Sequence, residues 1–398
     1  VTFPIDADSG GQLEVLYARR HWTENNPNLR MVLSRNPHFH GELYPQEGST
    51  EQRAAGLLGD AGKPMPFIDK AVYSLEKEAI PRWNKFLQGY YDNSGIASDS
   101  FDEAVQLQIA SELAQCFGYD LSRGRIDKAV HPFSSGSGQD VRITTRTDPN
   151  DPFNCFYSTI HEVGHGCYEQ NVDLDYSLTA IGQGASMGVH ESQSRIYENQ
   201  LGRSRGFTEF LFGKMRAGFG DFGIETADEF YKAVNSVRSG FIRTEADEVQ
   251  YNLHVLLRFD LERAMIAGDL QVQDLQSAWN ERFAADFGYD VPCASQGCLQ
   301  DVHWSVGLFG YFPTYSLGNV YAGCLFSRMT ELIPELDDQL RVGDLSKATG
   351  WLQERLQRHG AVNLPRDTIT KACDMAPSEA PLLAYLRNKF SDIYDLRL

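Results

Sequence analysis

Two histidines four residues apart, in His161-Glu162-Val163-Gly164-His165, constrain this chain more than any other stretch. Phe153, Phe156, Ile160 and Cys167 around them recur at helical spacing. In a helix, residues i and i+4 share a face, so both imidazoles can grip one metal ion while Glu162 sits beside its open position. This is the arrangement of a metal-dependent hydrolase. With ten His in 398 residues, chance supplies the pattern about 0.02 times per chain, which favours a site over two unrelated histidines. Gly164 and Gly166 weaken the helix, but residues this small also let a second helix or a substrate approach the metal closely.

A catalytic zinc takes three protein ligands and a water. The longer motif that supplies a third His shortly downstream is absent, because its positions are occupied by Tyr168 and Asn171. Further on, Ser186 can cap a helix that carries Glu191 in its second turn, 26 positions after His165. Glu191 is therefore the expected third ligand, since a Glu from a following helix completes a known catalytic-zinc set. His190, Glu198 and Asp175 compete for the role.

The remaining pattern predicts a mostly helical chain with one small sheet. Residues 1–66 are rich in Pro, Gly and Asn, which predicts short helices joined by irregular loops. Helical spacing follows in Ile68, Val72, Leu75 and Ala79, and again in Val105, Ile109, Leu113 and Phe117, with Gly118 as a stop. Val141, Ile143 and Thr145 alternate with Arg142, Thr144 and Arg146 after a turn read at Ser134-Ser135-Gly136-Ser137-Gly138, which predicts a β-hairpin. Helices then continue, broken at Gly202, Gly220, Gly268 and Gly288, and Thr244-Glu245-Ala246-Asp247 reads as a capping box opening a helix. There is no internal repeat and no low-complexity tract.

Composition narrows the partners. Thirty-six Lys plus Arg against 54 Asp plus Glu gives 36 − 54 = −18, a charge that repels phosphate backbones and anionic headgroups, so neither nucleic acid nor membrane is an expected partner. No stretch approaches the ~20 apolar residues of a membrane span. The opening Val1-Thr2-Phe3-Pro4-Ile5-Asp6 lacks the basic and apolar regions of a signal peptide, and the chain does not begin with Met. Seven scattered cysteines point to a reduced, cytoplasmic compartment, and Cys293 with Cys298, close in sequence, are expected to be ordinary thiols.

Six motifs occur in order: His131-Pro132-Phe133, Asp140-Val141-Arg142-Ile143-Thr144, the His161 to His165 motif, His190-Glu191-Ser192-Gln193, Ile242-Arg243-Thr244-Glu245-Ala246-Asp247 and Gly297-Cys298-Leu299-Gln300-Asp301-Val302-His303-Trp304. Together they resemble the signature of the carboxypeptidase Taq family of metallocarboxypeptidases over about residues 101–398, with residues 1–100 a helical N-terminal segment shortened relative to that family. The resemblance implies a mainly α, two-lobed fold with a deep groove and one small β-sheet, similar to neurolysin and angiotensin-converting enzyme, and usually a homodimer. It implies one divalent metal per chain, zinc or cobalt, held by His161, His165 and Glu191. It also implies Glu162 as catalytic base and release of single residues from peptides with a free C-terminus.

A carboxypeptidase must hold a free carboxylate, and on a chain of net charge −18 the cation has to be placed on purpose. The resemblance points to Arg243, with Arg142 as second choice; a salt bridge from Arg243 to Glu245 or Asp247 is the structural alternative. His303, Tyr311 and Tyr315 are candidate donors to the oxyanion, because steps of eight and four put them near one helix face, although Gly310 and Pro313 interrupt it. Asp301 and Gln300 are expected to orient a ligand imidazole at the substrate site. His131 and Asp140 either fix the hairpin or contact substrate, and the strand edge at Val141 to Thr145 is expected to pair with extended peptide. Two other readings stand beside this one: a helical oligopeptidase or dipeptidyl carboxypeptidase with the same metal chemistry, and an inactive structural or binding homologue.

Overall fold

The computed structural model describes residues 20–26, 30–35, 70–74 and 101–396, and the chain divides after Tyr90 into two units. In the first unit, β1 (Arg20–Asn26), β2 (Arg30–Arg35) and β3 (Lys70–Ser74) form an antiparallel sheet in that order. Val72 therefore sits in a strand opposite Val32 and not in the helix expected from its spacing with Ile68, Leu75 and Ala79, which lie outside the described residues. Three apolar steps of that length do not discriminate a helix from a short strand. Much of the segment expected as short helices, and with it the two-lobed, deep-grooved form, lies outside the described residues.

The second unit opens with α1 (Glu103–Cys116), stopped by Gly118 at φ +88°, then β4 (Gly124–Lys128), β5 (Ser134–Ser137) and β6 (Asp140–Thr145). The expected hairpin is β5 and β6, but the serine-glycine run is the strand β5 itself, and the chain turns at Gly138 and Gln139. β6 lies in the middle, parallel to β4 and antiparallel to β5. Its backbone is paired on both sides, so the edge expected at Val141 to Thr145 to receive a peptide does not exist. The alternation holds for packing as far as Ile143, with Val141 and Ile143 inward and Arg142 outward, and then fails, because Thr144 is buried as well as Thr145.

After Asp151, whose side chain caps the Phe153 N–H, Pro152 opens α2 (Pro152–Asn171), which buries 14 of its 20 residues and so is the core helix. Then come α3 (Met187–Arg195), capped by Ser186 as expected, a π-helical turn (Ile196–Leu201), α4 (Arg205–Phe219) and α5 (Ala227–Val234). Next are α6 (Gln250–Ala267) and α7 (Leu275–Phe287), ended by Gly268 and Gly288, both at φ +81°. Thr244 does not open α6: residues 243–245 form a short 3₁₀ turn, and Asp247 caps the Val249 and Gln250 N–H groups instead. Finally α8 (Pro313–Leu332), α9 (Leu336–Arg341), α10 (Ser346–Arg355), α11 (Pro365–Cys373) and α12 (Ala380–Tyr394) complete the unit. No described helix is long and apolar enough to cross a membrane.

Glycines decide how α2 is packed. A Cβ on Gly164 would lie 2.5 Å from the Gln193 carbonyl oxygen and 2.6 Å from Ser194 Cα, so α3 rests directly on α2. On the other side a Cβ on Gly166 would meet the Tyr119 ring at 2.9 Å and Ile143 at 3.2 Å. α8 in turn covers α3 at Gly318, where a Cβ would fall 2.4 Å from Glu191 Cγ. The main core, including Leu113, Phe117, Phe156, Ile160, Tyr197 and Phe207, surrounds this stack, and a second cluster of Leu257, Leu261, Trp279 and Phe283 joins α6 to α7.

Candidate metal centre

His161 and His165 of α2 and Glu191 of α3 bring their ligand atoms within 4.8 Å of one another. Nε2 of His165 and of His161 lie 3.5 and 3.9 Å from Glu191 Oε2. Bonds of about 2.0–2.1 Å in a tetrahedron separate ligand atoms by roughly 3.3–3.4 Å, so the three fit a single ion with little movement. Gly164 and Gly318 make this approach possible, as the sequence suggested for Gly164.

The residues competing to be third ligand have other positions. Glu198, on the π-helical turn, sets Oε2 2.9 Å from His161 Nδ1. His190 sets its Nδ1 2.7 Å from His165 Nδ1, and its Nε2 is 2.9 Å from Glu169 Oε1. Asp175 is exposed in a short 3₁₀ turn. Glu198 and His190 thus back the imidazoles, the task expected of Asp301 and Gln300. Arg195, one turn after Glu191, donates to Glu191 Oε1 at 2.7 Å, leaving Oε2 for the histidines, and approaches Glu198 Oε2 at 3.5 Å.

Charge follows this geometry. Burial pushes the Glu162 carboxyl up to about 7, a poised value for a group between acid and base roles. Burial likewise holds His165 down at about 4, in the neutral form a ligand requires. Burial would raise Glu198, but its bond to His161 and the Arg195 charge outweigh that and lower it to about 2.

A second buried cluster lies beside the first. Arg243 donates Nε and Nη2 to Asp301 Oδ1 at 3.1 and 2.8 Å, and Nη1 to Tyr251 Oη at 3.1 Å. Arg258, fully buried over the Trp279 ring, pairs with Asp301 Oδ2. Arg243 therefore bonds to Asp301 and not to Glu245 or Asp247, and two guanidiniums share one carboxylate, leaving a surplus positive charge. Gln300 accepts the Arg243 N–H at 2.9 Å and donates to the Phe241 carbonyl, so it latches the chain rather than orienting an imidazole. Tyr251 joins the two clusters, since the Arg195 guanidinium lies 4.1 Å from its ring centroid.

His303, Tyr311 and Tyr315 converge on Arg243, but not by sharing a helix face. The chain folds back through Gly307 and Gly310, at φ +78° and +75°, before α8 begins. His303 Nε2 is 3.0 Å from Tyr315 Oη, the Tyr311 and Tyr315 rings are 5.4 Å apart, and Arg243 sits 4.6 Å over the Tyr315 ring. Glu262 pins this loop, accepting from Trp304 Nε1 at 2.7 Å and from the Gly310 N–H at 2.5 Å. At the hairpin, Arg142 and Asp140 are exposed and paired with each other through two 2.8 Å bonds, and His131 lies in the loop between β4 and β5.

Tyr251, Arg258, Glu262 and Arg195 join these clusters although no sequence motif singles them out. Only Arg195 carried a signal, its i+4 spacing from Glu191. All seven cysteines are free thiols, including Cys293 and Cys298.

The family model described as Carboxypeptidase Taq (M32) metallopeptidase matches residues 58–390, a longer span than the motifs alone indicated. The chain is 37% identical over 340 residues to Carboxypeptidase 1 of Bacillus subtilis, covering 85% of this chain and 68% of that protein. It is 41% identical over 308 residues to Thermostable carboxypeptidase 1 of Thermus thermophilus, covering 77% and 60%. The crystal structure of an M32 carboxypeptidase from Deinococcus radiodurans superposes with a TM-score of 0.73 at 42% identity, over 75% of this chain and 62% of that one. The chain thus spans 60–68% of the length of these relatives.

Proposed function

The chain belongs to the carboxypeptidase Taq metallopeptidase family, and from that membership we propose that it is a metal-dependent carboxypeptidase releasing single amino acids from peptides with a free C-terminus. The observation that carries this reading is the convergence of His161, His165 and Glu191 beside the buried Glu162. Two imidazoles and a carboxylate suit one divalent cation, zinc or cobalt. When bound, such an ion lowers the pKa of water and polarises a carbonyl.

The chain's own residues supply the remaining steps. Glu162 takes the proton of the attacking water and returns it to the leaving amine. His303, Tyr311 and Tyr315 are the donors toward the oxygen that becomes negative. Arg243 holds the terminal carboxylate of the substrate. Of its five N–H groups, three are engaged with Asp301 and Tyr251, which leaves one on each terminal nitrogen for a bidentate contact. Asp301 holds that guanidinium, and Gln300 the Arg243 backbone N–H, in place before substrate arrives, which lowers the cost of ordering the clamp. Arg142 is the weaker clamp, because it is exposed on the hairpin, where water screens its charge and Asp140 already pairs with it. In this reading residues 101–398 are the catalytic region, with Asp140 and His131 fixing the hairpin. The family resemblance supports a homodimer, and seven unbridged cysteines support a reducing, cytoplasmic compartment.

The test is a product ladder. Zinc-loaded protein is incubated with a defined peptide and the products are weighed by mass spectrometry. Stepwise loss of single C-terminal residues is expected; dipeptides or internal fragments would replace this reading by the dipeptidyl or oligopeptidase one, and an intact peptide by the binding-homologue one.

A further inference from the structure

His165 has two ring nitrogens, and only one faces the proposed metal site. Nε2 lies 3.5 Å from Glu191 Oε2, while Nδ1 lies 2.7 Å from Nδ1 of His190. Two ring nitrogens this close share one proton, since two lone pairs or two N–H groups would repel. The direction of sharing is set one residue further away. Nε2 of His190 lies 2.9 Å from Glu169 Oε1, which also accepts the Gly184 N–H at 3.0 Å. That oxygen is an acceptor, so Nε2 of His190 carries the hydrogen.

With its hydrogen committed to Glu169, His190 turns Nδ1 toward His165 as the acceptor of the His165 Nδ1–H. His165 is left with a bare Nε2 pointing toward Glu191, the tautomer that binds a metal. The reverse arrangement would put a hydrogen on Nε2 of His165, where the ion should be. We propose that His190 and Glu169 are positioning residues that act in series to fix the tautomer and orientation of His165. The inference rests on the metal-site reading above and assigns two residues that spacing alone either counted as a rival ligand or passed over.

The relay is built into the packing. Its side chains retain 18% (His190) and 11% (Glu169) exposure, so water has little room to substitute for either. A Cβ on Gly184 would lie 2.7 Å from His190 Cδ2, so glycine there lets the backbone close over the pair, and the Tyr168 ring, 5.1 Å from that of His190, covers another side. His161 is backed by a single carboxylate, Glu198, without an intermediary.

Two measurements test this. The first is zinc affinity, read by competition with a fluorescent zinc chelator. His190→Phe keeps the ring volume and removes both nitrogens, and should weaken zinc binding by about 10–100-fold, the usual effect of losing such a partner. His190→Gln, which can accept from His165 and donate to Glu169, should recover most of the loss. Glu169→Ala should also weaken binding, and the double variant should be no worse than His190→Phe alone, because Glu169 works through His190. Zinc affinity within twofold of wild type in both His190→Phe and Glu169→Ala, or losses that add, overturns the proposal.

The second measurement needs no metal. Nitrogen-15 shifts of the His165 imidazole in the zinc-free protein should show Nδ1–H in the wild type and a mixture or the opposite tautomer in Glu169→Ala. Nε2–H in the wild type overturns the relay even if His190→Phe fails to fold. If wild type shows Nδ1–H yet binds no zinc, the relay stands and the metal-site reading fails.

Discussion

Adding one methyl group at Gly164 should separate the two helices that carry His161, His165 and Glu191. The methyl of Gly164→Ala would sit 2.5 Å from the Gln193 carbonyl oxygen and 2.6 Å from Ser194 Cα, both backbone atoms of α3. Ordinary contact begins near 3.4 Å, so α2 and α3 must part by roughly 3.4 − 2.5 = 0.9 Å. Overpacking of this kind costs ~1–3 kcal/mol, and replacing a helical glycine returns ~1 kcal/mol, so the net loss of stability is only ~0–2 kcal/mol. The site responds more strongly. Glu191 Oε2 is already 3.9 Å from His161 Nε2, and a displacement of about 1 Å costs on the order of 10²-fold in rate. The expected result is a small fall in melting temperature with a large fall in zinc affinity and in kcat/KM on a free-acid peptide. Gly213→Ala on the exposed face of α4, where a Cβ meets nothing within 4 Å, is the control, gaining up to ~1 kcal/mol and leaving zinc and kcat/KM unchanged. A Gly164→Ala protein that binds zinc and cleaves peptide like wild type would show that this contact does not set the ligand spacing.

Glu162→Gln keeps the three ligands, so zinc should stay bound while turnover falls ~10²–10⁴-fold; full turnover at full zinc occupancy would remove Glu162 from the chemistry. Glu191→Ala leaves two ligands, and zinc per chain by atomic absorption should fall with activity, whereas stoichiometric zinc would transfer the role to a neighbour such as Glu198. Arg243→Ala should lower kcat/KM at least ~10-fold on free-acid peptides and much less on C-terminal amides; equal losses on both would make Arg243 structural. For Asp301, burial opposes ionisation, but Arg258 and Arg243 outweigh it and hold the carboxyl well below its usual range. A depressed folded-state pKa gives stability that is present at neutral pH and lost as pH falls below the unfolded value of about 4. Asp301→Asn should therefore cost ~3–5 kcal/mol at pH 7, by leaving two guanidiniums buried without their carboxylate, and lose less than wild type on going to pH 3. Urea unfolding at the two pH values measures both, and identical acid dependence in the variant would refute the assignment.

The parts legible in the chain were those that depend on a few neighbouring residues. The helix carrying His161 and His165 begins at Asp151 and Pro152, and that carrying Glu191 at Ser186, because a cap and a period are local interactions. Stops at Gly118, Gly220, Gly268 and Gly288 were likewise readable, since each adopts a positive φ that glycine accepts without strain. The choice of partners was not readable. Spacing placed Glu198 and His190 among possible ligands, and only the π-helical turn and the packing of α3 on α2 turned them toward the far nitrogens of the imidazoles. Spacing put His303, Tyr311 and Tyr315 on one helix face, whereas Gly307, Gly310 and the Glu262 carboxylate bring them together through a folded loop. β6 reads as an edge by alternation and is central because β4, more than ten residues earlier, pairs with it. Asp301 finds Arg243 and Arg258 across 58 and 43 residues. A period reports which atoms share a face of one element. Which buried charge meets which depends on how whole elements close against each other, and that is decided by tertiary packing.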